Sequence, residues 1–452
     1  MVHLSSEVVL EILRYAGPDI IPCLRINSQW FNCGISLVWR RARCWLLGRV
    51  PKHRRQIYAS VIRELIVYRG TNKDLREFSH LSFPKLAMLR IDLEQHDDHD
   101  ALDLSLLKCY MHQGLTQIEL SGTFDPELLS LIQVSCPRLY NFSISRQDPR
   151  LTPEILLEFL QNCPALSDIS IHSEDLATGK ILNHLAGSKK LERLSLEGLI
   201  DTDAIGGFNV SSPFKALQHL TITVTEAALP SLVGMIKSIR SFNLTLGGPD
   251  CAEDYDSAAL KHISQLTELQ ILTLFIWGNM RIATEDIVSL KSLTHLRRLS
   301  ISGLSAISLI APRLQDSDFE ELFKNLSQLE ALNFDIFRSD ITTDSLVNLG
   351  KCCPLLQRCE IMGIYDMAAF RYEKQPLFPA LELLSIGAFT NCERLFSYSR
   401  PYDHVRQIVK HFPNLQDLSC TFRTFPIVQD DLPDKIVQLW WNRQEKARKA
   451  KP

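Results

Sequence analysis

From Ile62 to Cys420 the chain repeats one pattern of apolar and variable positions: apolar, two variable, apolar, one variable, apolar. Leu86-x-x-Leu89-x-Ile91, Leu191-x-x-Leu194-x-Leu196, Leu269-x-x-Leu272-x-Leu274 and Leu381-x-x-Leu384-x-Ile386 are the clearest copies. Fourteen copies open at Ile62, Leu86, Leu115, Leu139, Leu166, Leu191, Leu217, Ile239, Leu269, Leu296, Leu329, Leu356, Leu381 and Leu415, a mean period of about 27 residues. The last two apolar positions of each copy alternate with polar ones, the period-two signature of a short, half-buried strand. Helix-period stretches follow most copies, best seen at 126–135, 153–162, 257–266, 284–293, 316–326 and 342–351. Asp125-Pro126 and Thr152-Pro153 place a capping oxygen before a proline that loses no hydrogen bond in a helix's first turn. A strand and a helix per period predict an α/β solenoid: a curved parallel sheet lined on the outside by helices. Such an array presents a long surface and not a catalytic pocket.

Pairs such as Phe83-Pro84, Cys136-Pro137, Cys163-Pro164, Cys353-Pro354, Phe378-Pro379 and Phe412-Pro413 open several copies. Proline ends the preceding helix, and the residue before it is free to tuck between helix and strand. Cys163-Pro164-Ala165-Leu166 resembles the cysteine-containing leucine-rich-repeat class typical of F-box proteins. The Asn or Cys of extracellular repeats, eight positions after the first Leu, is replaced by Thr123, Gln147 and Leu199.

The first sixty residues break the pattern. Leu4 to Tyr15 reads as a short amphipathic helix capped by Ser5 or Ser6 and stopped by Gly17-Pro18. A second apolar segment covers 19–26, and a third opens at Ser28-Gln29-Trp30-Phe31 and leads to Trp39. This stretch resembles an F-box. Leu4, Glu7, Ile12 and Leu13 match its first block, Ile20-Ile21 its apolar pair, Ile26 and Trp30 its central block, and Leu37 with Trp39 its end. Ser5, Ala16-Gly17 and Asn27 depart from the pattern. The resemblance implies a substrate receptor of a Skp/cullin-type ubiquitin ligase: Leu4, Ile12, Ile21, Leu24 and Trp30 would face a Skp-type adaptor, through it a cullin, and the repeats would hold the protein to be ubiquitinated. The alternative is a scaffold or GTPase-regulating repeat protein whose first helices only cap the array. The expected organisation is a helical domain over 1–48, a linker or N-terminal cap over 49–61, the repeats over 62–425, and a cap helix with a basic tail over 426–452.

Charge divides the chain in the same place. Residues 1–76 carry thirteen Lys/Arg and five acids, against 36 and 47 in the remainder. A basic opening module suits an acidic partner. Arg40-Arg41-Ala42-Arg43 and Lys52-His53-Arg54-Arg55 lack the interleaved aromatics of a nucleic-acid surface, so no nucleic-acid partner is expected. No apolar run reaches the ~20 residues that span a bilayer. No secretion signal is evident, and the twelve cysteines show no paired spacing, so reduced thiols in the cytosol or nucleus are expected.

Binding is expected on the variable positions beside each strand's apolar pair: Arg193, Glu197, His219, Phe275, Trp277, Arg298 and Arg358 foremost, with Arg90, Asp92, Glu119, Asp168, His172, Asp335, Glu360 and Asp417 on the same face. Connections at 247–256, 303–315 and 387–402 exceed the regular spacing, and the last holds Arg394, Phe396, Tyr398 and Tyr402. His96-Asp97-Asp98-His99-Asp100 has ligand-type side chains but reads as an acidic loop, because metal ligands must converge from fixed elements. No phosphate loop, HExxH or G-x-S-x-G element occurs. No active site and no cofactor are expected.

Overall fold

The computed structural model describes residues 4–17, 20–68, 72–93, 103–145, 150–207, 211–247, 255–304, 309–337, 339–389, 401–421 and 432–449. They form two compact units, 1–198 and 199–452.

The first unit opens with three helices, α1 (Ser6–Tyr15), α2 (Ile20–Cys23) and α3 (Ser28–Val38). Ser5 accepts a hydrogen bond from the Val8 amide and Asn27 one from the Trp30 amide, so two departures from the F-box pattern are the N-caps of α1 and α3. Val9 and Leu13 of α1 are buried, with Gly34 and Ile35 of α3. Gly34 is where the three helices close: a Cβ there would lie 2.2 Å from a methyl of Leu24 and 2.8 Å from one of Leu13.

Seven strands follow in this unit: β1 (Arg41–Arg43), β2 (Glu64–Val67), β3 (Met88–Leu93), β4 (Gln117–Gly122), β5 (Asn141–Ser145), β6 (Asp168–His172) and β7 (Arg193–Ile200). Each pairs in parallel with the next. β1 pairs with β2 ahead of the first copy of the leucine pattern, and the stretch expected as a linker or N-terminal cap holds helix α5 (Arg55–Ala59), with α4 (Cys44–Gly48) just before it. The array therefore starts a full strand–helix unit before Ile62. The leucine spacing missed it because β1 is Arg-Ala-Arg, with one buried residue.

The second unit contains β8 (His219–Val224), β9 (Ser241–Leu246), β10 (Tyr255–Ser257), β11 (Ile271–Ile276), β12 (Met280–Ile282), β13 (Arg298–Gly303), β14 (Leu309–Ile310), β15 (Ala331–Phe334), β16 (Arg358–Tyr365), β17 (Leu383–Phe389) and β18 (Asp417–Cys420). Eight of these run in one parallel sheet in the order β8-β9-β11-β13-β15-β16-β17-β18. β10, β12 and β14 form a separate three-stranded parallel sheet. Parts of the connections 247–256 and 303–315 are thus strands and not plain loops.

All fourteen copies of the pattern produce a strand, and each strand begins two residues after the copy's first apolar residue. That residue is at most 4% exposed in every copy. Full burial of one such side chain contributes about 1.5–3 kcal/mol, repeated along the array. The next two amides both donate to one carbonyl of the preceding repeat, as Thr116 and Gln117 do to Ala87, which fixes the register. Phe83, Cys136, Cys353, Phe378 and Phe412, the residues before the prolines, are buried as the pattern predicts. All six predicted helices appear within three residues of their expected ends, the one over 284–293 when its closing turn Leu290–Ser292 is included; the one expected over 257–266 shortens to Ala259–Ile263. The helix Leu432–Lys449 lays Ile436, Val437 and Trp440 against the end of the array.

Candidate protein-interaction surfaces

The α1 helix has two apolar faces. Its inner face holds Val9 and Leu13; its outer face carries Val8, Ile12 and Tyr15, which are 45%, 41% and 89% exposed, and Leu4, 36% exposed, stands just before the N-cap. The spacing of four and three residues places Val8, Ile12 and Tyr15 in one line along the helix. Val8, Ile12 and Tyr15 line a shallow recess with Glu7 and Glu11 beside them. This apolar line is the part of α1 that packing within the chain leaves uncovered.

Ile21 and Leu24, expected on that same adaptor face, line a different feature. They border a groove of ≈ 880 Å³ with Phe31, Ile35, Trp39 and Tyr58. Trp39 leans on Tyr58 with ring centroids 4.5 Å apart, and Arg54 stands over Phe31 and Tyr58 at 5.7 and 6.0 Å. Trp39 therefore ties α3 to the first repeat's helix. Trp30 is half-buried and borders neither feature. Of the five residues, Ile12 lies on the outer line of α1 with Leu4 just before that helix, Ile21 and Leu24 lie together at the groove, and Trp30 stands apart. Val8 and Tyr15 were missed. Helical spacing alone could have found them, since both stand in step with Ile12.

On the open sheet face of the first unit, charged residues pair across neighbouring strands. Arg41 meets Glu64 at 2.9 Å, Arg90 meets Glu119, Arg193 meets Asp168 at 3.6 Å, and His172 Nδ1 lies 2.9 Å from Glu197. Arg193 and Glu197 are thus each engaged by a neighbour. Among them stand Ser121, Ser143, Ser145, Ser170 and Ser195, all small and neutral.

The open face of the second unit differs. Arg298, Arg358 and Glu360 are exposed, and none of the three forms an ion pair among the described residues. Phe275 is half-buried on the open side of β11, and Trp277, just beyond the strand, is 56% exposed and rests against Gly247. His219 is half-buried at the start of β8. Asp335 follows β15 with its amide bonded to the Ile301 carbonyl, 2.9 Å away, which sets it level with Ser302. Burial, and then the charge of Glu360 on the adjacent strand, push the Asp335 carboxyl up to about 6 from its ordinary 3.8.

This shift fixes a pH dependence. Below 3.8 both folded and unfolded chains hold the proton, and Asp335 costs nothing. As pH rises from there to about 6 the unfolded chain ionises first, so stability falls, with the full cost above 6. Asp335→Asn is therefore expected to stabilise the chain at pH 7.5 by on the order of 1 kcal/mol, after allowing for the water that reaches this half-exposed group. At pH 3.5 the gain should vanish. Urea melts at the two pH values check it; an equal effect at both would show that the charge is not its source.

Other chemistry is placed as follows. Burial pushes the Cys136 and Cys163 thiols up to about 11 and Cys353 up to about 12, so none is a thiolate at neutral pH. His404 and His411 are buried in the second unit, and burial holds both below their ordinary value. Among the described residues no group of three His, Cys, Asp or Glu could hold a metal ion, and no helix is long and apolar enough to cross a membrane. The stretch 96–100 and the residues Arg394, Phe396 and Tyr398 lie outside the described residues; Tyr402 is exposed.

Strand–helix units at a fixed period, each adding one parallel strand, define the repeat class of α/β proteins. The sequence matches no family model and no curated protein. Among solved structures it is similar to that of the Rad7 and Elc1 complex in yeast, at 16% identity, with 89% of this chain and 99% of that chain covered and a TM-score of 0.45.

Proposed function

We propose that this chain is the substrate-recognition subunit of a Skp/cullin/F-box-type ubiquitin ligase, working in the cytosol or nucleus. The first three helices seat in a Skp-type adaptor, which joins them to a cullin, and the repeats hold the client protein. The chain contributes position and affinity, and the transfer of ubiquitin takes place on other subunits. The observation that carries this reading is the outer line of α1: a helix whose core face is already filled by Val9 and Leu13 keeps Val8, Ile12 and Tyr15 in water. The F-box pattern of residues 4–39 says what kind of partner would cover that line, and a helix face of this kind docks in an apolar groove.

The test is direct binding of the purified full chain to a purified Skp-type adaptor by calorimetry and size exclusion. A one-to-one complex with Kd below about 1 μM is expected, the affinity of an interface with a few well-packed apolar anchors. No complex at tens of micromolar would remove the ligase reading and leave a repeat scaffold.

A further inference from the structure

The two units treat the charges of their open faces in opposite ways. In the first unit Arg41, Arg90 and Asp168 each have an oppositely charged partner on the next strand, and His172 lies against the carboxylate of Glu197. In the second, Arg298, Arg358, Asp335 and Glu360 have none among the described residues. Phe275 and Trp277 both stand on the second unit's open side.

Strand register gives these groups a layout. Arg298 and Arg358 flank Ala331 at the same level, near the start of their strands. Glu360 lies two residues further along, level with Asn333. Phe275, Ser302 and Asp335 share a level on three successive strands, four residues beyond the arginines. With strands about 4.8 Å apart, Phe275 and Asp335 are separated by about 10 Å, with only the short Ser302 between them. The arginine level is about 13 Å away along the strands.

We propose that the client binds on the open face of the second unit, and that it is an extended polypeptide segment with a basic residue and an acidic residue about four positions apart. The lysine or arginine of the client lays its aliphatic stem over Ser302 against Phe275 and sets its charge on Asp335, with Glu360 alongside. The acidic residue lies between Arg298 and Arg358. Trp277 covers the apolar stem from the far end of the strands. Charges left unpaired on a protein's own surface give a complementary partner both attraction and register, whereas the paired face of the first unit must break its own contacts to bind anything. This client class rests on the receptor reading above.

The test is selection of displayed random peptides about twelve residues long on the immobilised full chain, followed by synthesis of the consensus. A basic residue should be enriched with an acidic one three to five positions away. Asp335→Asn should weaken the consensus peptide about tenfold, although the same substitution stabilises the fold at pH 7.5; a merely structural residue would not show that combination. Phe275→Ala should weaken it similarly, and Arg193→Ala in the first unit should not. A failed selection, a consensus without the basic residue, or an Asp335→Asn variant that binds within twofold of the original overturns the proposal. Adaptor binding is measured in parallel. Its loss with the peptide preference intact sinks the ligase assignment alone, and the reverse outcome sinks only the client surface.

Discussion

Replacing Val8 and Ile12 together by aspartate is expected to weaken capture of a Skp-type adaptor by at least ~100-fold while leaving the chain folded. Both side chains point out of the three-helix group, and neither fills its core. The two substitutions therefore remove only favourable contact with a partner. Interface anchors of this kind cost about 2–4 kcal/mol each when truncated, and about 1.4 kcal/mol is a factor of ten. A carboxylate forced into an apolar groove adds its own desolvation cost. Far-ultraviolet circular dichroism and the melting temperature should stay within a few degrees of the original. Trp30→Ala is a poorer test: that ring is half-buried, so lost binding would mix with lost packing. Leu13→Asp is the matched control, because Leu13 is buried against Leu24 and Gly34, and its replacement should unfold the helices themselves. A Val8→Asp/Ile12→Asp chain that still holds the adaptor would place the docking surface elsewhere, the groove around Ile21 and Leu24 being the next candidate.

The repeats were legible because one physical demand recurs at fixed spacing. Every copy of the pattern buries the same three positions, so apolar residues mark them, and each of the fourteen copies carries a strand at a constant offset. The unit around β1 was not legible, since a three-residue edge strand with one buried alanine leaves no apolar trace. Nor was the second sheet: β10 and β14 are two or three residues long, and their pairing depends on connections meeting at one level, which periodicity does not encode. The candidate surfaces follow the same division. Sequence alternation identified which side chains face the open side of the sheet, Phe275, Arg298, Asp335 and Arg358 among them. It could not show that Arg193 is held by Asp168 while Arg298 is unpaired, because that depends on what stands opposite on the next strand.

Asp316 illustrates how neighbouring repeats are joined. Its carboxylate accepts hydrogen bonds from the Thr342 amide and hydroxyl, 2.7 and 2.6 Å away, and from the amide and hydroxyl of Ser345 in the next repeat's helix. Burial opposes the charged form, but the donors outweigh it and hold the carboxyl below its ordinary value. Glu226 plays the corresponding part toward Ser257 and Ala258, at 2.8 and 2.9 Å. Such contacts couple each unit only to its neighbour, so damage at an end should spread inward slowly.

Trp440→Ala follows from that coupling and is expected to loosen the end of the array by about 3–5 kcal/mol, the usual cost of deleting a fully buried tryptophan. Trp440 is 1% exposed and lies in the helix Leu432–Lys449, which packs on the helix Pro401–His411 and on β17 and β18. Trp441 meets it edge-on, with ring centroids 4.9 Å apart. Without the indole, β18 and the helix Pro401–His411 lose part of their cover. The nearest-neighbour character of a repeat array predicts where the loss appears. Amide hydrogen exchange should accelerate by ~100-fold or more in β17, β18 and the two last helices, and stay nearly unchanged in β8, β9 and β11. Peptide-resolved exchange of the full chain at pH 7 reads this directly. Uniform acceleration across the second unit would mean that the unit unfolds as one block and that the helix is part of its core, not a cover over its last strand. Unchanged exchange at β18 would mean that the strand needs no cover at all.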